Sequence, residues 1–229
     1  MIRENTLYLA GELTELPAFS HACYDQSFCR FFLSVERKSG TADVLPVLAE
    51  EGLLPPMMAL GEKLSVEGQL RAYSQRVENG SRLMIAAFAQ AIHLVDGEPE
   101  NAVTLTGRVA RPPVYRSTPL GREITDLFLE VPRGFRKSDF LPVIAWGRSA
   151  RDASQCVLGE TVSITGRLQS RKYTKMLPDG TSSERTAYEV SAFSFMRVPQ
   201  TDDAYGTDFY VHGAGTVPYR TAFPTVDAP

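Results

Sequence analysis

The sequence has no apolar run of about 18 residues, so no segment of it is expected to cross a membrane as a helix. Its first residues, MIRENTLYLAGEL, lack a long apolar run closed by a small-residue cleavage site, and a signal peptide is not expected. Cysteine is scarce, and Cys23, Cys29 and Cys156 form neither a CxxC pair nor a Cys/His cluster. We therefore expect reduced thiols and a cytoplasmic protein.

Recognisable catalytic and metal-binding patterns are missing as well. His21, His93 and His212 stand apart in the sequence, without the spacing of metal ligands. No phosphate-binding glycine loop, no Ser-His-Asp order and no paired-carboxylate motif occurs. The sequence therefore predicts a binding protein rather than an enzyme, with no cofactor and no metal.

The charge is distributed unevenly along the chain. The formal net charge of the 229 residues is −3, but residues 1–96 carry −4, residues 101–198 carry +6 and residues 199–229 carry −3. The basic segment contains 12 arginines and only 3 lysines, and arginine both pairs with phosphate and stacks on bases. A polyanionic partner is therefore expected to bind within residues 101–198.

An internal repeat divides the chain. The segment NTLYLAG at 5–11 recurs as NAVTLTG at 101–107, and LGEKLSVEGQL at 60–70 recurs as LGETVSITGRL at 158–168. A repeat of this length indicates a duplicated domain rather than a solenoid unit. We therefore predict one domain at 1–96, a second at 101–198 and an irregular C-terminal tail at 199–229.

Each copy contains short strand patterns separated by Gly, Pro and polar turns, together with one short helix. The strands are predicted near 5–13, 28–37, 43–48, 62–73 and 82–95, and again near 101–110, 123–132, 139–146, 160–173 and 186–198. A helix of about two turns is predicted within 149–157, where Ala150, Ala153 and Val157 recur at helical spacing. The pattern predicts an all-β protein with two tandem five-stranded barrels of the OB type.

Three stretches of the second copy resemble the bacterial single-stranded DNA-binding protein (SSB) family: NAVTLTGRVARPPVYRSTPLG, PVIAWGRSA and LGETVSITGRLQSRKY. The resemblance runs from residue 101 to about residue 198. It implies the OB fold by a separate route. It also implies a nucleoid-associated protein that binds and protects single-stranded DNA in replication, recombination or repair.

The resemblance assigns the base-stacking rings to Phe135, Phe140, Trp146 and Tyr173. The equivalent residues of the first copy are Ser39, Val44, Glu50 and Gln75, so that copy is expected to serve as a structural or oligomerising barrel. The cations expected to contact phosphate are Arg108, Arg111, Arg122, Arg133, Arg167, Arg171, Lys172 and Lys175. The hairpin loop at 175–184 is of the kind that the family closes over DNA.

Other interpretations of the same residues stand beside this one. Aromatic residues in strands are most often core residues, and Phe128, Phe193 and Phe195 are interpreted in that way. Both faces of the strand around Trp146 are apolar, so alternation alone leaves its direction open. Charged runs are commonly solvated surfaces, and Arg148 and Arg151 on the helix side are the weaker candidates.

Partners and alternative functions complete the expectations. SSB proteins commonly assemble four OB domains, so a homodimer of this chain is expected by analogy. The family usually ends in an acidic cluster with a Pro-Phe tip that recruits replication and repair proteins, whereas this sequence ends TVDAP. The alternatives are an OB interaction module of a replication or mobile-element complex and an RNA-binding OB protein.

Overall fold

The computed structural model describes residues 4–77, 80–134, 137–176 and 180–199. The predicted tail and Phe135 therefore lie outside the described residues, apart from Pro199 at the tail's start. The elements in chain order are β1 (Asn5–Cys23), β2 (Gln26–Glu36), β3 (Ala42–Glu50), β4 (Lys63–Val77), β5 (Gly80–Leu94), β6 (Glu100–Val109), β7 (Val114–Ser117), β8 (Glu123–Arg133), β9 (Lys137–Trp146), α1 (Gly147–Ser154), β10 (Thr161–Met176) and β11 (Ser182–Arg197).

The strands close into two barrels of five strands each. In the first barrel, β1 pairs with β2 and β4, β2 with β3, and β4 with β5, all antiparallel, and the parallel pair β3–β5 completes the circle. In the second barrel, β6, β8, β9, β11 and β10 repeat this arrangement, with β9–β11 as the parallel pair. The predicted all-β fold with two five-stranded barrels is confirmed.

Strand alternation fills both barrels. In β3, Leu45, Val47 and Ala49 are buried, and in β9 the equivalent residues Leu141, Val143 and Ala145 are buried in the same way. Because successive side chains of a strand point to opposite faces, this periodicity leaves the intervening residues on the outside of each barrel. Apolar residues from both barrels form one connected core.

Two glycines mark the sharpest backbone contacts of the barrels. A Cβ atom added to Gly68 would lie 2.1 Å from the carbonyl oxygen of Phe88, and one added to Gly166 would lie 2.3 Å from that of Ser191. Both glycines sit at register shifts of their ladders, where the strand bends. Glycine is required at these positions because any side chain would displace the neighbouring strand.

The two barrels share a sheet edge. β1 pairs antiparallel with β6 through Asn5↔Leu105, Leu7↔Val103 and Leu9↔Asn101. Equivalent residues of the two copies are 96 positions apart here. Exchanging the copies therefore converts the pair Asn5↔Leu105 into Leu9↔Asn101 and leaves the central pair Leu7↔Val103 unchanged. The barrels therefore meet across a local pseudo-twofold relationship, and their strands form one continuous eleven-stranded sheet.

Some details differ from the sequence-based expectation. β1 runs on to Cys23 and forms a long exposed hairpin with β2, and β7 is an additional four-residue strand paired with β8. Among the described residues a short α-helix occurs only in the second barrel, where α1 begins at Gly147. The first barrel has a 3-10 turn, Glu51–Leu53, at the corresponding place. No helix in these residues has the length and apolar content to cross a membrane.

Candidate nucleic-acid interface

The outer face of the second barrel carries a column of flat groups on β8 and β9. Phe128 lies opposite Pro142 and Phe140 lies opposite Glu130 in the antiparallel ladder. The two phenyl rings have centroids 6.0 Å apart and planes 17° from parallel. The guanidinium carbon of Arg111 lies 4.2 Å from the Phe128 ring centroid. Phe140 is 43% exposed, so its ring is accessible beside this cation–π pair.

Trp146 lies at the end of β9 on the same outer face. Its neighbours in the strand alternate, so that Val143 and Ala145 point into the core while Trp146 is 36% exposed. The indole Nε1 donates a hydrogen bond to Ser191 Oγ at 3.1 Å, which ties the ring to β11. The direction that the sequence left open is therefore outward, and the indole is not sealed in the interior.

β10 and β11 extend the face with two further pairs of a ring and a guanidinium. Arg167 lies 5.4 Å from the ring centroid of Phe193, which is 60% exposed. Arg171 lies 5.8 Å from the ring centroid of Tyr173, two residues further along β10. These pairs place cations and flat apolar rings on one surface, the composition that suits single-stranded nucleic acid.

Two aromatic residues that the sequence analysis assigned to the core belong to this face. Phe193 is largely exposed and Phe128 is half-buried outside the core, so the core assignment is wrong for both. Phe195 is partly buried and packs against the core, as expected. The signal for Phe128 was present in the sequence, because Leu127 and Leu129 on either side of it take the inward positions of β8.

The predicted cations differ in how far they are already paired. Lys175, Arg111 and Arg122 are exposed, the last in the turn between β7 and β8. Several others have acidic neighbours within 4 Å: Arg108–Glu130 at 3.0 Å, Arg133–Asp139 at 3.5 Å, Arg171–Glu189 at 3.8 Å and Lys172–Glu184 at 3.8 Å. A phosphate that binds these residues must compete with a carboxylate.

One arginine of this face was missed by the sequence analysis. Arg116 on β7 donates two hydrogen bonds to the carboxylate of Asp126 on β8, at 2.8 Å from Nε and 3.3 Å from Nη2. The residue belongs to a strand whose four residues are all exposed, so this strand has no alternation of buried and exposed residues that would predict its direction. The weaker candidates Arg148 and Arg151 are exposed on α1, and Arg151 lies 3.4 Å from Glu123.

A buried carboxylate lies within this basic surface. Glu189 on β11 is 3% exposed and accepts a hydrogen bond from Gln169 Nε2 at 2.8 Å across the β10–β11 ladder. Burial raises the pKa of Glu189 above its ordinary value, and the nearby charge of Asp126 adds to this. The Gln169 hydrogen bond and the charge of Arg171 oppose the rise in pKa.

The first barrel keeps part of this pattern, because Phe32 and Phe88 stand where the second barrel has Phe128 and Phe193, and Arg30 lies 5.6 Å from the Phe32 ring centroid. The imidazole of His21 stacks on Phe28 with centroids 5.0 Å apart, Phe28 contacts Phe88 at 5.8 Å, and Arg71 lies 5.6 Å from the Phe88 centroid. None of these residues occupies a position equivalent to the four predicted stacking rings. Phe28 is itself buried, so most of this cluster is packing within the barrel.

Within the part of the chain that the structure describes, no group of three or more His, Cys, Asp or Glu side chains is placed to hold a metal ion. The three cysteines are free thiols, of which Cys23 is exposed and the other two are buried.

Comparison with known proteins links this geometry to a family. The profile of the Single-strand binding protein family matches residues 100–197. A "Single-stranded DNA-binding protein 2" of Streptococcus agalactiae is 34% identical over 103 residues, which cover 42% of this chain and 76% of that protein. A "Single-stranded DNA-binding protein" of Clostridium tetani is 38% identical over 80 residues, 32% of this chain, and the match spans 55% of that protein's length.

The fold has a counterpart among solved structures. The crystal structure of the wild-type single-stranded DNA binding protein from Thermus aquaticus superposes with a TM-score of 0.69 at 24% sequence identity. The match covers 89% of this chain and 97% of that one, so it includes both barrels.

Proposed function

Because the chain belongs to the single-strand binding protein family, whose members are non-enzymatic DNA-binding proteins, we propose that it binds and protects single-stranded DNA on the outer face of the second barrel. The observation that carries this proposal is the set of rings paired with guanidinium groups on β8 to β11 together with the exposed rings of Phe140 and Trp146, where the first barrel has Val44 and Glu50. Phe128 with Arg111, Phe193 with Arg167 and Tyr173 with Arg171 repeat the same combination at three places.

Bases stack on the exposed rings of this surface. Base–aromatic stacking contributes ~1–3 kcal/mol per base, so Phe140, Trp146 and the neighbouring rings supply most of the affinity that does not depend on salt. Stacking tolerates any base, because each base has a flat π-face. The protein therefore binds with little sequence preference.

Phosphates are held by the cations around the rings. Arg111, Arg122 and Lys175 are exposed and bind phosphate directly. Arg171 and Lys172 exchange a carboxylate at 3.8 Å for a phosphate. Each phosphate that is neutralised releases counterions, so the affinity falls as the salt concentration rises.

The two barrels have different roles. The domain at 101–198 carries the nucleic-acid face, and the domain at 1–96 acts as a structural or oligomerising barrel with net charge −4. Two chains form a homodimer with four barrels. The protein acts on single-stranded DNA in the cytoplasm, at the nucleoid, during replication, recombination or repair.

The direct test is quenching of the single tryptophan, Trp146, by oligo-dT in the full-length protein. We expect saturable quenching and a mobility shift at low salt. Unchanged fluorescence together with no mobility shift would refute the proposal. Competition by oligo-U decides between DNA and RNA, because stacking alone does not distinguish them. Equal or stronger competition by oligo-U would identify an RNA-binding protein.

A further inference from the structure

Two buried carboxylates brace the junction between the barrels. Asp43 on β3 and Asp139 on β9 occupy equivalent positions of the repeat and are 0% and 1% exposed. Each accepts a hydrogen bond from a backbone N–H of the opposite barrel. A buried carboxylate is tolerated only when it is paired and hydrogen-bonded, so these two residues bind their partners tightly.

Asp43 of the first barrel holds β10 of the second. Its Oδ1 accepts hydrogen bonds from the backbone N–H of Ser170 at 2.7 Å and from Ser170 Oγ at 3.2 Å. Arg37, in the same barrel as Asp43, donates from Nε at 2.6 Å and from Nη2 at 2.5 Å. The bidentate guanidinium orients the carboxylate, and the carboxylate in turn fixes one backbone position of β10.

Asp139 links β9 to the first barrel in the opposite direction. Its Oδ1 accepts from the backbone N–H of Ala72 at 2.9 Å, and its Oδ2 accepts from Arg71 Nη1 at 3.1 Å. Arg133, in the same barrel as Asp139, lies 3.5 Å away. Both side chains of the Arg71–Asp139 pair are well shielded from solvent, which keeps the contact strong.

The two junction contacts differ in the side chain that the opposite barrel offers to the buried carboxylate. The repeat places Gln169 where the first barrel has Arg71, and Gln169 donates to Glu189 in its own barrel instead of reaching across. Arg71 is therefore a guanidinium that the first barrel contributes to the start of β9, whereas the second barrel has an uncharged amide at the equivalent position 169 and brings Arg167 near Asp43 from a different position of β10.

Both anchored positions lie next to residues of the nucleic-acid face. Ser170 directly precedes Arg171 and lies three residues before Tyr173, and Asp139 directly precedes Phe140. Successive side chains of a strand point to opposite faces. A strand whose backbone is anchored at the junction therefore holds the adjacent, outward-pointing side chains in a fixed orientation.

We propose that Asp43 and Arg71 of the first barrel are positioning residues for the nucleic-acid face of the second. Asp43 fixes β10 so that Arg171 and Tyr173 are ordered before a strand arrives, and Arg71 fixes the start of β9 beneath Phe140. Neither needs to touch the ligand, and Asp43, with no exposed surface, has no route to it. This inference rests on the proposed function, because it concerns the same face.

The direction of the affinity change in one variant distinguishes a positioning role from a simple effect of charge. Asp43→Asn removes a negative charge, and by charge alone it must strengthen binding to a polyanion. It also leaves an amide NH2 facing the donors of Arg37, so the carboxylate brace is lost and the side chains on β10 must be ordered during binding. We expect the affinity of the full-length variant for oligo-dT, measured by Trp146 quenching, to fall by about tenfold.

The matched control is Glu67→Gln, which makes the same charge change at an exposed position of β4 that pairs with Tyr8 of its own barrel. It should leave the affinity unchanged or slightly raised. Hydrogen exchange should accelerate at residues 167–173 in Asp43→Asn and not in the control. The salt dependence of binding should be the same in all three proteins, because no phosphate contact has been removed.

Several results would overturn the inference. Asp43→Asn binding as tightly as the wild type, or more tightly, would do so while leaving the proposed function intact. A reduced active fraction with unchanged affinity of the folded protein would show a purely structural role and would also overturn it. The proposed function itself fails only when the wild type does not respond to oligo-dT.

Should Asp43→Asn not fold, Arg71→Gln tests the same idea, since glutamine is the residue at the equivalent position 169. Its control is Lys63→Gln, at the start of β4 beside the linker carbonyl of Gly97. Arg71→Gln is expected to weaken binding several-fold more than Lys63→Gln and to accelerate exchange at residues 137–141. Equal effects of the two substitutions would contradict the positioning role.

Discussion

The carboxylate of Glu189 and the amide of Gln169 face each other across β10 and β11, joined by a hydrogen bond of 2.8 Å in the middle of a basic surface. If single-stranded DNA binds to this surface as proposed, the carboxylate stands where the DNA brings its own negative charge. Arg171 lies 3.8 Å away and partly compensates it. A polyanion that engaged Arg171 on the proposed interface would leave the Glu189 charge less balanced, so we expect this residue to oppose binding.

Glu189→Gln should bind oligo-dT more tightly than the wild type, by roughly threefold at neutral pH, because a partly screened charge repulsion of this kind is small. The glutamine amide still pairs with Gln169. A titration of Trp146 fluorescence measures the change. The direction is opposite to that expected for Asp43→Asn, although both substitutions remove one carboxylate.

The same variant tests the effect of pH on stability. Burial raises the pKa of Glu189 above 4.5, so the folded state keeps a proton that the unfolded state has lost. The free energy of unfolding attributable to this group therefore falls as the pH rises from 4.5 through the folded pKa, and is unaffected below 4.5. In thermal unfolding, the stability of Glu189→Gln relative to the wild type should increase as the pH rises towards neutrality. A constant difference at all pH values would contradict this assignment.

Removal of a stacking ring should weaken binding without unfolding the protein. Phe140→Ala is expected to lower the affinity for oligo-dT by about tenfold or more, because stacking contributes ~1–3 kcal/mol per base. The ring is 43% exposed, so the melting temperature should change little. Its control is Val44→Ala, at the equivalent position of the first barrel, which should bind like the wild type. Similar losses in both variants would show that the first barrel binds DNA as well.

Removal of a phosphate contact should change the salt dependence. Arg111→Ala should lower the affinity and reduce the slope of log K against log salt concentration by about 1, because one fewer phosphate is neutralised. Arg151→Ala, on α1 and next to Glu123, is the control and should keep the wild-type slope. The slopes come from titrations at four or five salt concentrations. Identical slopes for wild type and Arg111→Ala would remove Arg111 from the interface.

The three thiols should react at very different rates. Burial raises the pKa of Cys156 to about 11, with a further contribution from Glu160, and burial also raises the pKa of Cys29. The thiolate is the reactive form, so at pH 8 Cys156 should react about 100-fold more slowly than an ordinary thiol from the pKa alone. A thiol reagent should therefore modify the exposed Cys23 first. Rapid loss of all three thiols would contradict the described burial.

The barrels were predictable because two independent signals agreed. Period-two alternation marked the strands, and the repeat placed them in the same order twice, so that the second copy supported each assignment made in the first. The extension of β1 beyond Leu13 was not predictable in this way. Its residues are mostly exposed and pair only with β2, so burial leaves no pattern on them.

The face itself was predicted in part. Phe140, Trp146 and Tyr173 came from a resemblance, and the described positions agree with an outward direction for each, whereas Phe193 was assigned to the core because an aromatic residue in a strand usually belongs there. The hydrogen bond from Ser170 to Asp43 joins residues 127 positions apart in sequence. Contacts between residues so far apart in sequence depend on how the two folded barrels pack together, and local sequence patterns do not predict them.

The pairing of β1 with β6 places two related but unequal halves around a common axis within one polypeptide. Where two identical subunits meet in this way, every substitution appears on both sides of the axis at once. A covalent fusion removes that restriction, so the two halves can differ: the first carries Val44 and Glu50 where the second carries Phe140 and Trp146, and their net charges are −4 and +6. Such a difference between halves is a freedom that a symmetric dimer lacks.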